Sequence, residues 1–133
     1  MNIALGSVPV FVSDQDRALS FYCDRLGFEK VFDRQYGPEF RWVAIAKKAG
    51  ETEIILFRPV RSVFGERLEE FNARIGIWTG MVFLTDDIEA TYQALRERGV
   101  EFQKEPAKQV WGGMEAIFSD PDGNSFQLVQ RPK

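Results

Sequence analysis

Residues 7–18, SVPVFVSDQDRA, decide the fold of this chain, because a related stretch, GMVFLTDDIEAT, stands at residues 80–91. In both stretches a short apolar run leads into Asp-x-[Asp/Glu] and then into a helical pattern, at an offset of 73 residues. The helical patterns close on Gly27-Phe28-Glu29 and on Gly99-Val100-Glu101, at an offset of 72 residues. A repeat of this length indicates two copies of one supersecondary unit.

Composition and charge narrow the class of protein. The 133 residues are 44% hydrophobic and 28% charged, which is typical of one globular domain. With 17 basic and 20 acidic residues interspersed, nucleic acid is not expected as the main partner. No apolar run approaches the roughly 20 residues of a membrane span, and Met1–Gly6 lacks the basic region of a signal peptide. The single cysteine, Cys23, excludes an internal disulfide, so a cytoplasmic protein without membrane contact is expected.

Hydrophobic periodicity and turn residues predict the order β-α-β-β-β in each half. In the first half, a helix begins at Asp14 or Asp16 and runs to about Leu26; the strands cover residues 3–12, 28–34, 40–47 and 52–59. A connector at 60–78 carries a short surface-helix pattern at 61–72. In the second half, Asp86 or Asp87 caps the helix 88–97; the strands cover residues 81–85, 100–104, 114–119 and 125–130.

The predicted fold class is therefore α+β, with two tandem βαβββ modules in one domain, 1–133. The modules cover residues 1–59 and 79–133. A unit of about 60 residues buries little apolar surface alone. Each sheet is expected to keep a helix on one face and to curve its other face into a shared cup, since a curved sheet lined by alternate side chains forms a pocket.

Several motifs, in this order and spacing, resemble the vicinal oxygen chelate superfamily. This superfamily groups glyoxalase I, bleomycin-resistance proteins, fosfomycin-resistance enzymes and extradiol dioxygenases. The motifs cover nearly the whole chain: 12–22 with 26–28, then 85–90, 98–100, 111–113 and 118–124. The resemblance implies paired βαβββ modules and usually a homodimer, which also fits the need to cover sheet edges.

The resemblance also implies four metal-ligand positions, which fall on Ser7, Ile55, Gly80 and Gln127. Serine and glutamine are weak neutral donors, and isoleucine and glycine offer no side-chain donor. The chain has no histidine, so only carboxylates could supply the three ligands of a catalytic metal. Glu53 faces the same side of its strand as Ile55, but one carboxylate does not make a site. We therefore expect no metal, no other cofactor and no metal-dependent activity.

Alternation along the predicted strands selects the side chains that face the cup, although a register shift of one residue would invert every assignment. The cup-facing positions are Ser7, Pro9, Phe11, Glu53, Ile55, Phe57, Val82, Leu84, Ser125, Gln127 and Val129. Trp42 and Trp111 are the expected aromatic rims, and Glu53 and Glu115 would attract a cation. The predicted ligand-binding residues are Ser7, Phe11, Trp42, Glu53, Ile55, Phe57, Trp111, Glu115 and Gln127.

Each of these residues also has a structural interpretation. Trp42 and Trp111 also suit packing in the core or at a dimer interface. Glu115 suits a solvated strand, and Ser7 and Gln127 suit simple filling of the cup. Trp78 is assigned to packing, and Cys23 to a small hydrophobic residue.

The favoured function is a metal-free member of the superfamily that sequesters a small organic molecule, cationic or aromatic, as a bleomycin-resistance protein does. One alternative is a glyoxalase-like lyase or isomerase that uses Glu53 or Glu115 as a general base. Another is an accessory or regulatory binding module.

Overall fold

The computed structural model describes all residues, Met1–Lys133. They form two compact units, Met1–Gly76 and Ile77–Lys133. Each unit contains one four-stranded sheet with both parallel and antiparallel neighbours. The predicted α+β class with two βαβββ modules is thereby confirmed.

The first unit has its strands in the order β1-β4-β3-β2, with β1 parallel to β4 and the other pairs antiparallel. Its strands are β1 (Ser7–Phe11), β2 (Glu29–Tyr36), β3 (Phe40–Ala46) and β4 (Glu53–Phe57). Its helices are α1 (Gln15–Leu19), α2 (Arg61–Phe64) and α3 (Leu68–Asn72). A π-helical segment, Ser20–Arg25, continues α1, and a 3₁₀ turn, Gly65–Arg67, joins α2 to α3.

Helix α1 is held at its start by two side chains. The Asp14 carboxylate caps it by accepting a hydrogen bond of 2.9 Å from the backbone N–H of Arg17. The buried Gln15 amide donates to the carbonyl oxygens of Arg41 and Leu56, at 2.8 and 2.9 Å. These bonds tie the helix to β3 and β4, so one face of the sheet is covered.

The second unit repeats this arrangement, with the strand order β5-β8-β7-β6. Its elements are β5 (Trp78–Leu84), α4 (Ile88–Glu97), β6 (Glu101–Lys108), β7 (Met114–Ser119) and β8 (Ser125–Gln130). Phe83, Phe118 and Phe126 form the aromatic centre of its core, with ring centroids 5.2 to 5.9 Å apart. No helix in the chain has the length and apolar character needed to cross a bilayer.

Several predicted boundaries were wrong. Residues 3–6 lie outside β1 and are exposed, and their bonds to the neighbouring segment are those that the Leu5 and Gly6 carbonyl oxygens accept from Thr52 and Glu53. The connector helix breaks at Gly65, whose φ of 54° favours glycine. Trp78 is 49% exposed and begins β5, so its assignment to packing was also wrong.

Candidate functional site

Strand register places the predicted residues of the first unit on one face of its sheet, because cross-strand partners share a face. Ser7 pairs with Glu53, and Phe11 pairs with Phe57. Ile55 pairs with Ala44 of β3. This face lies opposite α1, as alternation along β1 and β4 predicts.

A cavity of about 670 Å³ opens on this face. It is lined by Val31, Phe32, Tyr36, Phe40, Trp42 and Glu53. Strand β2 contributes two neighbouring residues, Val31 and Phe32, because its register with β3 shifts between Lys30 and Phe32. A β-bulge of this kind turns an extra side chain toward the same face. Of the predicted ligand-binding residues, Trp42 and Glu53 line the cavity itself.

Packed aromatic rings support the wall of the cavity. The Trp42 ring meets Phe57 and Phe40 edge-on, with ring centroids 5.7 Å and 6.1 Å apart. Phe57 in turn contacts Phe11 at 5.6 Å and Phe64 at 5.4 Å. The predicted residues Phe11 and Phe57 therefore serve as support that holds Trp42 in place.

Two charged groups on this face form no ion pair within the protein. The partly exposed Glu53 carboxylate lines the cavity and neither accepts a hydrogen bond nor forms an ion pair. Arg34 pairs in register with Trp42, and its guanidinium lies 5.1 Å from the centroid of the Tyr36 ring. The Arg34 guanidinium makes no hydrogen bond or ion pair within the protein. Both groups are therefore free to bind a ligand.

The opposite face carries charges that satisfy one another. The Arg41 guanidinium donates to Asp33 through two bonds of 2.8 Å and also bonds Asp16. These bonds to Arg41 lower the pKa of Asp33 to about 2 and raise that of Arg41. On the adjacent helix, burial raises the pKa of the Cys23 thiol, and Asp24 adds to the effect. That shift disfavours the reactive thiolate.

The other predicted site residues belong to the second unit. Glu115 pairs with Val129, and Gln127 pairs with Ile117 and Val82, so these side chains share one face. The Gln127 amide donates a hydrogen bond to the Glu115 carboxylate. Trp111 lies in the loop between β6 and β7, is 48% exposed, and packs over Gly113. A single cup formed by both units stays a prediction.

Sequence reasoning missed five residues that matter on the first face: Val31, Phe32, Arg34, Tyr36 and Phe40. Alternation along β3 places Phe40 on the same face as Trp42. A short turn between β2 and β3 then pairs Tyr36 with Phe40, so both residues could have been predicted from the sequence. The bulge at Val31 leaves no comparable signal, because strand periodicity says nothing about where a register shifts.

The donor set does not fit a metal. No group of three or more His, Cys, Asp or Glu side chains lies close enough to hold an ion. Gly80, one of the implied positions, has a φ of 75° and falls where the register of β5 with β8 shifts. Gln127, another, is bonded to Glu115.

Comparison with known proteins agrees with this architecture. The model of the Glyoxalase/Bleomycin resistance protein/Dioxygenase superfamily matches residues 4–128. The chain belongs to this superfamily. A member from Sphaerobacter thermophilus has a similar crystal structure, with 41% identity, 98% of each chain covered and a TM-score of 0.84. The protein YetH of Bacillus subtilis, described as uncharacterized, is 33% identical over 95% of this chain and 97% of its own.

Two further relatives have functional descriptions. TnmS3 from Streptomyces sp. CB03234, an antibiotic binding protein, is 34% identical, with a TM-score of 0.78 and coverage of 100% of this chain and 99% of its own. A Synechocystis protein described as a probable lactoylglutathione lyase is 27% identical over 90% of this chain and 88% of its own. The superfamily therefore includes relatives described both as binding proteins and as enzymes.

Proposed function

We propose that this protein binds a small organic molecule with a flat aromatic framework and acts by sequestering it. The observation that carries the proposal is the cavity of about 670 Å³ beside Trp42, Tyr36 and Phe40. Cavities of this size suit drug-sized ligands, and aromatic walls with few polar groups are their usual lining. TnmS3, described as an antibiotic binding protein, supports the same reading by similarity.

Sequestration needs no metal, and the donor chemistry supports a metal-free site. Ser7, Ile55, Gly80 and Gln127 provide no charged or imidazole ligand. Elemental analysis of protein purified without chelator checks this part of the proposal. Stoichiometric Zn, Ni, Mn or Fe would contradict it.

Thermal unfolding with a panel of fused-ring aromatic compounds tests binding. A ligand at 100 times its dissociation constant stabilises the folded state by about 2.7 kcal/mol. We expect Trp42→Leu to reduce the stabilisation. The matched variant Trp78→Leu should retain it, because Trp78 lies on the second unit and lines no part of this cavity. The proposal fails if no compound stabilises the protein or if Trp42→Leu has no effect.

A second candidate is a lyase or isomerase that uses Glu53 as a general base. The observation that favours it is a carboxylate in the cavity with no partner, and a general base must be able to reach the proton that it abstracts. Glu115 suits this role less, since Gln127 already bonds it. Turnover of methylglyoxal–glutathione hemithioacetal that disappears in Glu53→Gln would support the enzyme; the absence of turnover would exclude this substrate.

A further inference from the structure

We infer that the cavity of the first unit takes an elongated aromatic ligand with a cationic group at one end and an acidic group at the other. This inference rests on the proposed binding function and specifies the charge pattern of its ligand. Two carboxylates and one guanidinium carry it. They lie on the same face of the sheet, with both carboxylates at the level of Ala46 and the guanidinium at the level of Trp42.

The acidic end is formed around Ala46. Glu29 pairs with Ala46 directly, and the register of β3 with β4 continues to place Glu53 opposite Ala46 on its other side. Neither carboxylate has a hydrogen bond or an ion pair. The nearby lysines are engaged elsewhere: Lys30 bonds Asp33 at 3.3 Å, and Lys47 lies against Phe28. A ligand cation would complete this end.

The basic end is Arg34. Its register partner is Trp42, and its guanidinium rests on the Tyr36 ring. The neighbouring carboxylate of Asp33 points to the opposite face, where Arg41 and Lys30 bond it. Arg34 therefore has no internal counterion, and its planar fork suits a carboxylate or a similar acidic group.

The separation of the two ends sets the ligand's length. Strand spacing and rise per residue put the Cα atoms of Glu53 and Arg34 roughly 16 Å apart on the sheet. This exceeds the Debye length of about 8 Å at physiological ionic strength, so neither charge neutralises the other. Phe32 and Trp42 line the cavity between them, and Tyr36 follows beyond Arg34. A rigid aromatic framework across these rings would bring one ligand charge to each end.

N-methyl-4-(4-carboxystyryl)pyridinium and its methyl ester provide a matched pair of dye probes. Both carry a cationic pyridinium ring at one end of an elongated, conjugated framework, and only the free acid carries a carboxylate at the other end. Spectroscopic titration measures the affinity of each. We expect the wild-type protein to bind the free acid about fivefold more tightly than the ester, the effect of a charge-assisted bond that is partly exposed to solvent.

Three variants test which side chain causes the preference for the free carboxylate. Arg34→Gln should bind both dyes equally, and Glu53→Gln should weaken both to a similar extent. The matched control is Arg96→Gln, which removes a second guanidinium that rests on a tyrosine ring, 5.4 Å from the Tyr92 centroid in α4. It should keep the preference.

Equal binding of the two dyes by the wild-type protein would overturn the inference, as would a preference that survives in Arg34→Gln. In either case aromatic binding that depends on Trp42 would stand, so the two proposals fail separately. If neither dye binds, the predicted charge pattern is wrong, and the compound panel with Trp42→Leu decides the proposed function.

Discussion

At the scale of single residues, Gly113 is required for space and not for backbone conformation. Its φ is not in the left-handed region. A Cβ atom at this position would lie 1.9 Å from Cζ3 of Trp111 and 2.7 Å from the carbonyl oxygen of Gln130. The predicted aromatic rim therefore packs on its own loop.

We expect Gly113→Ala to destabilise the protein by about 2 kcal/mol, because the ring of Trp111 and the strand backbone must both move. Urea unfolding measures the loss. Gly6→Ala is the control, since its new Cβ meets nothing within 4 Å. Adding Trp111→Ala to Gly113→Ala should restore part of the stability; if the double variant is no better than the single one, the Trp111 contact is not the cause.

The bond between Asp33 and Arg41 predicts a specific pH dependence. Its folded pKa of about 2 lies below the ordinary value of 3.8. The stabilisation is therefore complete above about pH 5 and is lost as the pH falls through 2, with a magnitude of about 1 to 2 kcal/mol after allowance for solvent screening.

Urea unfolding between pH 2 and pH 6 tests this dependence. Asp33→Asn should be less stable than the wild-type protein at pH 6, and the difference should vanish near pH 2. Asp24→Asn removes an exposed carboxylate that has no ion pair, and it serves as the control. A difference between Asp33→Asn and the wild-type protein that does not change with pH would contradict the prediction.

At the scale of elements, both modules begin their main helix with an aspartate N-cap. Asp14 caps α1, and Asp87 caps α4 by accepting a bond of 3.1 Å from the N–H of Ala90. Both aspartates have extended backbones, with φ of −144° and −140°. The sequence repeat is therefore a repeat of capped helix starts that follow an edge strand.

Adjacent aspartates in the second module allow a matched test of the cap. We expect Asp87→Ala to cost about 1 kcal/mol, because the Ala90 N–H in the first turn of α4 loses its side-chain acceptor. Asp86→Ala, one residue earlier and exposed, should cost little. Chemical unfolding measures the free energy of unfolding of both variants. Equal losses of stability would show that the cap at Asp87 does not stabilise α4.

The element scale also shows how much of the fold was predictable. The bounds of α4, β7 and β8 agree with the periodicity, since each element has a clear cap or turn beside it. The connector does not: 61–72 has helical apolar spacing, but Gly65 breaks it into two short helices. In the first unit, Phe64 and Phe71 stack with centroids 3.8 Å apart, a contact that spacing alone does not predict.

At the scale of the whole molecule, the homodimer stays a prediction that can be tested. Strand β5 lies at the edge of its sheet and exposes Val82 and Leu84, at 48% and 54%. An exposed apolar edge strand favours pairing with another chain. Light scattering should give twice the chain mass of 15.3 kDa.

Leu84→Lys should return the particle to the mass of one chain, because it places a charge on that edge. Val110→Lys, at a fully exposed residue of the loop after β6, is the control and should leave the mass unchanged. A wild-type protein of single-chain mass would contradict the dimer, and a Leu84→Lys dimer would exclude this edge as its interface.

The sequence by itself determined the repeat, the α+β class, the helix caps and the face on which Ser7, Glu53 and Ile55 lie. These features depend on neighbours along the chain, through alternation, spacing and turn chemistry. Only the tertiary structure decided the cavity and the free charges beside it. Phe32, Arg34 and Tyr36 reach that face through a bulge and a pairing with β3, and pairing between strands depends on the packing of the whole sheet, which no local pattern encodes.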